Sequence, residues 1–400
     1  MAWIPVLLLG GFLCYLMTPE ERLRALRALA AMARAARRWI AGRLAERDPF
    51  GDALRARTRW PVVTWMIAIV TAGVFVRMLV APGALGDADT LVRWGGSFGP
   101  RTTTGEWWRL CTAMFVHAGP LHLLLNLAGL VAAGAVVERL TGHLAFAGVY
   151  MAAGIFASAV GLSASPSQVT VGASGAVLGV CGLLLGTAFW SALHPSPLRM
   201  PLANAARLAP VIAACLAYNA WEGSLPGAAE CGGFLVGLGY GLALTQGITE
   251  RKPRPHRVAA VATIVLVVAF ASTAPHRGLA DVRPHIARVV SLEMGTAGLY
   301  EEAVARFRLG RMSADALAQL IESTIVPELQ TVQARVQSVR KVPQAQQALV
   351  ANADAYLALR SRSWRLRAVG LRESSAGTLR KADEAERASL QAFARVRQAG

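Results

Sequence analysis

The sequence predicts an all-α, polytopic membrane helical bundle with a soluble helical region behind it. Three observations carry that reading. Hydrophobic side chains make up 54% of the 400 residues, and the mean hydropathy is +0.42. Apolar runs close to the length of about 18–20 residues that crosses a bilayer as a helix recur between residues 61 and 274. Basic residues lie in 20–59, 138–143, 194–200 and 251–257, every second segment between the spans, the pattern of a chain whose basic loops stay on one side of a membrane.

The elements follow in order. Residues 1–17, "MAWIPVLLLGGFLCYLM", are apolar but lack a basic leader and a small-residue cleavage site, so they read as a short span or an interfacial anchor rather than a cleaved signal peptide. Residues 20–59 carry eleven arginines among repeated alanine and leucine, and read as a basic amphipathic helix on the cytoplasmic membrane face. Residues 1–59 thus form an N-terminal basic and apolar extension. Membrane spans are expected at 61–81, 113–137, 144–163, 173–191, 203–221, 228–246 and 257–274, which gives a six-helix core at 60–246 and a seventh helix within 247–276. The loops 138–143, 194–200 and 251–257 carry basic residues and belong inside with segment 20–59. Loop 82–112, with Trp94, Trp107 and Trp108, is then outside, and so are residues 277–400. That last region is polar, alanine- and arginine-rich and helically periodic. Ser313 is a candidate N-cap, followed by Leu317, Leu320, Ile321, Ile325 and Leu329 at helical spacing. A small bundle of three or four helices is expected there, with a solvated coiled coil as the alternative and no visible catalytic group.

The net charge of +17 arises from 41 basic against 24 acidic residues. Arginine beside apolar spans is an orientation signal, and the chain has no zinc-finger spacing, phosphate loop or aromatic ribonucleoprotein motif, so nucleic acid is not an expected partner. The five cysteines are scattered through apolar segments without a paired spacing, so neither a disulfide framework nor a metal site is expected.

Strongly polar groups inside spans are costly, and each is a functional candidate. In "MFVHAGPLHLLLNLAGL" (114–130), His122 and Asn126 are four apart and share a helix face, and His117 precedes them on the loop side. Such a pair serves either as a helix-packing hydrogen bond or as donors for a developing negative oxygen. In "VGASGAVLGV" (171–180), Ser174 lies among Gly172, Gly175 and Gly179. Small residues four apart allow close helix packing, while a serine at a helix end beside free amides is also a candidate nucleophile. In "GAAECGGFLVGLGYG" (227–241), Gly233, Gly237 and Gly241 form a smooth ridge, and Glu230 lies on the same face. That ridge suits the Ser174–Gly179 face, which would bring a hydroxyl and a carboxylate together near the outer ends of two helices.

With these residues in hand, residues 60–246 resemble the rhomboid family of intramembrane serine proteases. "EWWRLCTAMFVHAGPLHLLLNLAGL" is similar to that family's outer-loop Trp-Arg motif and its second-helix His-x4-His-x3-Asn motif. "VVERLTGHLAFAGVYMAAGI" resembles its Glu-Arg-x2-Gly turn, "GASGAVLG" its GxSGxxxG motif, and "AECGGFLVG" its sixth-helix Ala-His-x-Gly-Gly pattern. The resemblance implies a six-helix core, sometimes with a seventh helix, and cleavage of other membrane proteins at their transmembrane segments. It implies Ser174 as nucleophile, with His122, Asn126 and the Ser174 amide as oxyanion donors. It gives Trp108 and Arg109 to the outer loop, and Glu138 and Arg139 to the turn between the second and third helices. No metal or organic cofactor is implied. Partners are membrane proteins met through their transmembrane segments within the bilayer, and the implied location is a bacterial inner membrane.

One departure stands out. Glu230 occupies the position of the family's catalytic histidine, and no histidine lies between His194 and His256. A glutamate in water is a weaker base than imidazole by about two pH units, and a general base contributes about 100- to 10,000-fold to rate. Two readings therefore stay open: a serine endopeptidase that uses or tolerates the carboxylate, and a pseudoprotease that binds transmembrane helices without cutting them. A small transporter is a third, disfavoured because the polar residues cluster near the outer face instead of lining a path.

Overall fold

A computed structural model of the chain describes residues 49–83, 85–193, 227–248 and 253–399, with the isolated positions 209, 212–214, 217 and 218. The expected anchor at 1–17, most of the basic helix at 20–59, the loop 194–200 and most of the expected span at 203–221 lie outside the described residues. Residues 1–57 and 58–400 form two separate compact units. In the first, the described part is the short helix α1 (Pro49–Arg57), on which Asp52 and Arg55 pair at 2.5 Å.

The second unit is a membrane helical bundle. Its long helices are α2 (Val62–Leu79), then α4 (Pro120–Gly129) running through a π-turn (Leu130–Gly134) into α5 (Ala135–Thr141), then α6 (His143–Ala164), α7 (Ser174–Leu193), α8 (Ala228–Ile248) and α9 (Pro255–Thr273). Between α2 and α4 lies the short helix α3 (Ala88–Arg93). Among the described residues, four helical segments are long and apolar enough to cross a membrane: Val62–Leu79, Pro120–Thr141, His143–Ala164 and Pro255–His276. The apolar stretches of α7 and α8, Ser174–Trp190 and Ala228–Leu244, are shorter. Helix α7 is a central element, with Val180, Leu183 and Ala188 fully buried. Helices α2 and α9 instead present Ile69, Ile264 and Val267 outward, each more than 60% exposed. In water such faces would be unfavourable, and in a bilayer they meet acyl chains.

The second span departs from its expected limits of 113–137. Residues 113–115 form a 3-10 turn, Gly119 is extended, and the helix begins at Pro120. Proline fits the first helical position because its missing N–H would have had no partner there. His117 therefore precedes the helix. The π-turn at Leu130–Gly134 then inserts a wider turn and rotates α5 relative to α4.

That rotation puts Glu138 in the bundle interior, fully buried. Its carboxylate accepts hydrogen bonds from the Val63 and Thr64 amides at 2.8 and 2.7 Å and from Thr64 Oγ1 at 2.7 Å, and it meets His143 Nδ1 at 2.5 Å. It thus caps the first turn of α2, whose N-terminal amides have no helical partners, and pins α2 to the α5–α6 corner. Gly142 makes that corner at φ +89°, a conformation that disfavours a side chain. Arg139, expected to brace the same turn, contributes its carbonyl, which accepts from Thr58 Oγ1 at 3.1 Å. Replacing Glu138 with alanine strands the buried Thr64 amide and the half-buried Val63 amide, and a loss of about 2–3 kcal/mol in unfolding free energy is expected. Denaturant titration in detergent measures it, and an unchanged midpoint would refute the cap.

Beyond α9, four helical elements share one apolar core: α10 (Arg283–Arg308), α11 (Ala314–Leu320) continuing through a π-turn into α12 (Val326–Gln337), α13 (Gln347–Arg372) and α14 (Ala376–Ala399). Val289, Ile321, Ile325, Leu329, Leu357 and Trp364 fill it. Ser313 caps α11, its Oγ accepting from the Ala316 amide at 3.1 Å. A buried polar network crosses this core. Arg360 bonds Glu293 at 3.0 Å and Glu386 at 2.6 Å, and Tyr356 donates to Glu293. Burial and the neighbouring Glu293 hold the Tyr356 phenol well above its ordinary range, so it stays a donor.

Candidate active site

Helix α8 lies against α7 at backbone contact. A Cβ placed on Gly233 would fall 2.0 Å from the Gly175 carbonyl oxygen, and one on Gly237 would fall 1.6 Å from that of Gly179. Gly241 repeats the contact against the Leu183 carbonyl at 2.6 Å. The period of four residues keeps one ridge on one line, so the approach is uniform along both helices. On the other side of α7, a Cβ on Gly175 would meet Ala157 of α6 at 2.3 Å.

This contact places Ser174, the first residue of α7, beside Glu230 in the first turn of α8. Ser174 Oγ donates to Glu230 Oε1 at 2.7 Å, and both residues are half-buried. At that distance a proton can pass between the two oxygens. The Val177 amide is the first to bond back, to the Ala173 carbonyl at 2.9 Å, which leaves the amides of Ser174, Gly175 and Ala176 at the open N-terminus of α7. Such a terminus favours negative charge.

The residues leading into Ser174 are held from two sides. Val169–Thr170 form a short strand, β2, paired antiparallel with β1 (Ser97–Phe98) of the loop 82–112. The Gly172 amide donates to the Ala113 carbonyl at 2.9 Å. Gly172 has φ +108°, and a Cβ there would lie 2.6 Å from His122 Cε1 and Nε2. The His122 ring therefore rests directly on the turn that precedes Ser174. Tyr218 stacks on its face at 5.4 Å, and His117 meets its edge at 5.0 Å. Tyr218 did not stand out in the sequence, where its one signal is a phenol inside an apolar run. His117 is completely buried.

Asn126 lies one turn after His122 on α4. It is buried, and its Nδ2 donates to the His122 carbonyl of its own helix at 2.8 Å. Its second N–H keeps capacity for another acceptor. Trp108 is half exposed, and the Arg109 guanidinium lies 4.5 Å over its ring. Arg109 itself is buried, pairs with Glu106, and donates to the carbonyls of Val92 at 2.5 Å and Gly96 at 3.2 Å. It thus fastens α3 to the turn before β1 within the loop 82–112. At the start of α3, Asp87 caps the helix through the Thr90 amide, which holds its carboxyl below the usual range. Among the described residues, no group of histidine, cysteine and carboxylate side chains could hold a metal ion.

A 106-residue stretch, 26% of this chain, is 33% identical to the rhomboid protease GluP of Bacillus subtilis and covers 21% of that protein. A 103-residue stretch is 30% identical to the rhomboid-like protease 1 of Toxoplasma gondii, over 26% of this chain and 34% of that one. A third, of 73 residues and 18% of this chain, is 37% identical to the inactive RHOMBOID-like protein 8 of Arabidopsis thaliana and covers 21% of it. The chain thus spans about a fifth to a third of the length of these relatives. Residues 104–247 match the family model of the Rhomboid domain, and through that segment this multi-pass membrane protein resembles the rhomboid family.

Proposed function

We propose that the chain is an intramembrane serine endopeptidase that cleaves transmembrane segments of other membrane proteins, with Ser174 as nucleophile and Glu230 as base. The observation that carries it is the 2.7 Å hydrogen bond from Ser174 Oγ to Glu230 Oε1 at the open end of α7. The direction of that bond suits the chemistry, because the hydroxyl donates and the carboxylate accepts.

As Oγ bonds to the scissile carbonyl carbon, its proton passes to Glu230. The carbonyl oxygen becomes an oxyanion, and the amides of Ser174 and Gly175 face the developing charge. His122, seated on Gly172, supplies a ring nitrogen on the same side. When the C–N bond breaks, Glu230 returns the proton to the leaving amine. Water then attacks the acyl group, with Glu230 taking and returning a proton again. No metal or cofactor takes part. Clients enter through their transmembrane segments, in the bilayer of a bacterial inner membrane.

A second reading has one observation in its favour. Glu230 replaces the histidine of the resembled motif, and one relative bears the name inactive rhomboid-like protein. On that reading the Ser174–Glu230 bond joins two helices and the protein binds transmembrane helices without cutting. The test is cleavage of a transmembrane test peptide by purified protein in lipid vesicles. Cleavage by the wild type that falls to background in Ser174→Ala is expected. Equal cleavage by both proteins would refute Ser174 as nucleophile, and no cleavage by either across a panel of peptides would favour the binding reading.

A further inference from the structure

We infer that Arg283, the first residue of the C-terminal helical domain, is a positioning residue for the Ser174 site, clamping the strand pair that leads into it. The inference rests on Ser174 being the functional serine proposed above. Arg283 opens α10, and Asp281 fixes its guanidinium from one side, with Nε and Nη2 each 3.0 Å from a carboxylate oxygen. From that fixed position Nη1 reaches Asp89 of α3 at 2.8 Å, and the guanidinium plane covers the Phe98 ring at 4.0 Å. Phe98 is fully buried, although it sits in an outer loop.

Phe98 is half of strand β1, and its partner across the ladder is Val169. Five residues after Val169 comes Ser174. Next to the ladder, the Gly99 amide donates to the Pro166 carbonyl at 3.1 Å, and that close approach leaves 2.3 Å for any Cβ on Gly99. One guanidinium therefore touches both α3 and β1, and β1 holds the approach to the serine. Two residues per strand give a ladder too short to be stable alone. It requires cover on Phe98, and Arg283 provides it.

The linker that delivers Arg283 is itself anchored. Thr103 Oγ1 donates to the His276 carbonyl at 2.8 Å, Lys341 Nζ to the Arg277 carbonyl at 3.2 Å, and the Ala280 amide to the Lys341 carbonyl at 3.3 Å. The C-terminal domain is thus fastened to the same end of the bundle as Ser174. A planar, fixed guanidinium is needed for the stack and the ion pair together, which lysine reproduces only in part.

The experiment uses the full chain in lipid vesicles. Hydrogen exchange is followed in peptides covering 95–99 and 166–173, and the rate of Ser174 modification by a fluorophosphonate is followed alongside. In Arg283→Gln, exchange in both peptides is expected to rise by about three- to tenfold, the size of coupling between contacting residues. Modification of Ser174 is expected to slow at an unchanged melting temperature. Arg283→Lys recovers part of both effects. Asp89→Asn, a milder change that keeps the stack, shows a smaller rise in the same peptides and serves if Arg283→Gln does not fold. Exchange at 166–173 within twofold of the wild type in these variants overturns the inference. A wild type that the reagent does not label counts against the proposed peptidase, and the exchange measurements still decide the role of Arg283.

Discussion

Glu230→Gln is expected to reduce cleavage of a transmembrane substrate by about 100- to 10,000-fold, the usual contribution of a positioned base. Glutamine keeps the shape, and its amide oxygen can still accept from Ser174 Oγ over the 2.7 Å now occupied by a carboxylate oxygen. It cannot take the proton. The variant therefore separates the two things Glu230 can do, joining helices and accepting a proton, because only the second is lost. Thermal unfolding of the two proteins should agree closely while initial rates differ. Cleavage by Glu230→Gln within threefold of the wild type would remove Glu230 from the mechanism. Glu230→His is the informative partner. Its imidazole is a stronger base in water by about two pH units, but it is shorter in reach. If the wild type is silent and Glu230→His cleaves, the site is intact apart from its base, and the natural protein is a binder of transmembrane helices.

The sequence carried the bundle further than it carried the loops. Apolar runs mark α2, α6 and α9 because a bilayer demands length and hydrophobicity, and both are composition. The glycines at 233, 237 and 241 mark the contact with α7 because a backbone approach demands small residues at one period. The start of α4 was displaced from its expected place, since Met114 and Phe115 are as apolar as a span and only Pro120 marks where helix can begin. The π-turn at Leu130–Gly134 has no composition of its own, yet it decides where Glu138 points. Strands of two residues, Ser97–Phe98 and Val169–Thr170, are too short to show alternation, and they pair across 70 intervening positions at Phe98 and Val169 only because the helices bring the loops together. Tyr218 on His122 and Arg283 on Phe98 are likewise tertiary contacts. An exposed-looking arginine at the head of a soluble helix carries no sequence mark of the aromatic ring it will cover.

Gly237→Ala is expected to be the most damaging single methyl in the membrane core. A Cβ at this position would stand 1.6 Å from the Gly179 carbonyl oxygen, 2.5 Å from its carbon and 2.8 Å from its Cα. All three atoms are backbone, so no rotamer change relieves the overlap, and the helices must separate. Overpacking of a tight interface costs about 1–3 kcal/mol where side chains can adjust, and here they cannot, so a loss of at least about 3 kcal/mol is expected. The displacement does not stay local. Gly233 and Gly241 lie on the same ridge, and α8 is a single helix, so lifting it at Gly237 also withdraws Glu230 from Ser174. Gly239 supplies the control within the same helix. It has no atom within 4 Å of its would-be Cβ, so Gly239→Ala should be neutral or slightly stabilising through helix propensity alone. Unfolding in detergent and Ser174 labelling should therefore diverge for two variants that differ only in which face of α8 gains a methyl. Equal behaviour of the pair would mean that the two helices do not meet at backbone contact, and the 2.7 Å serine–glutamate bond would lose the packing that holds it.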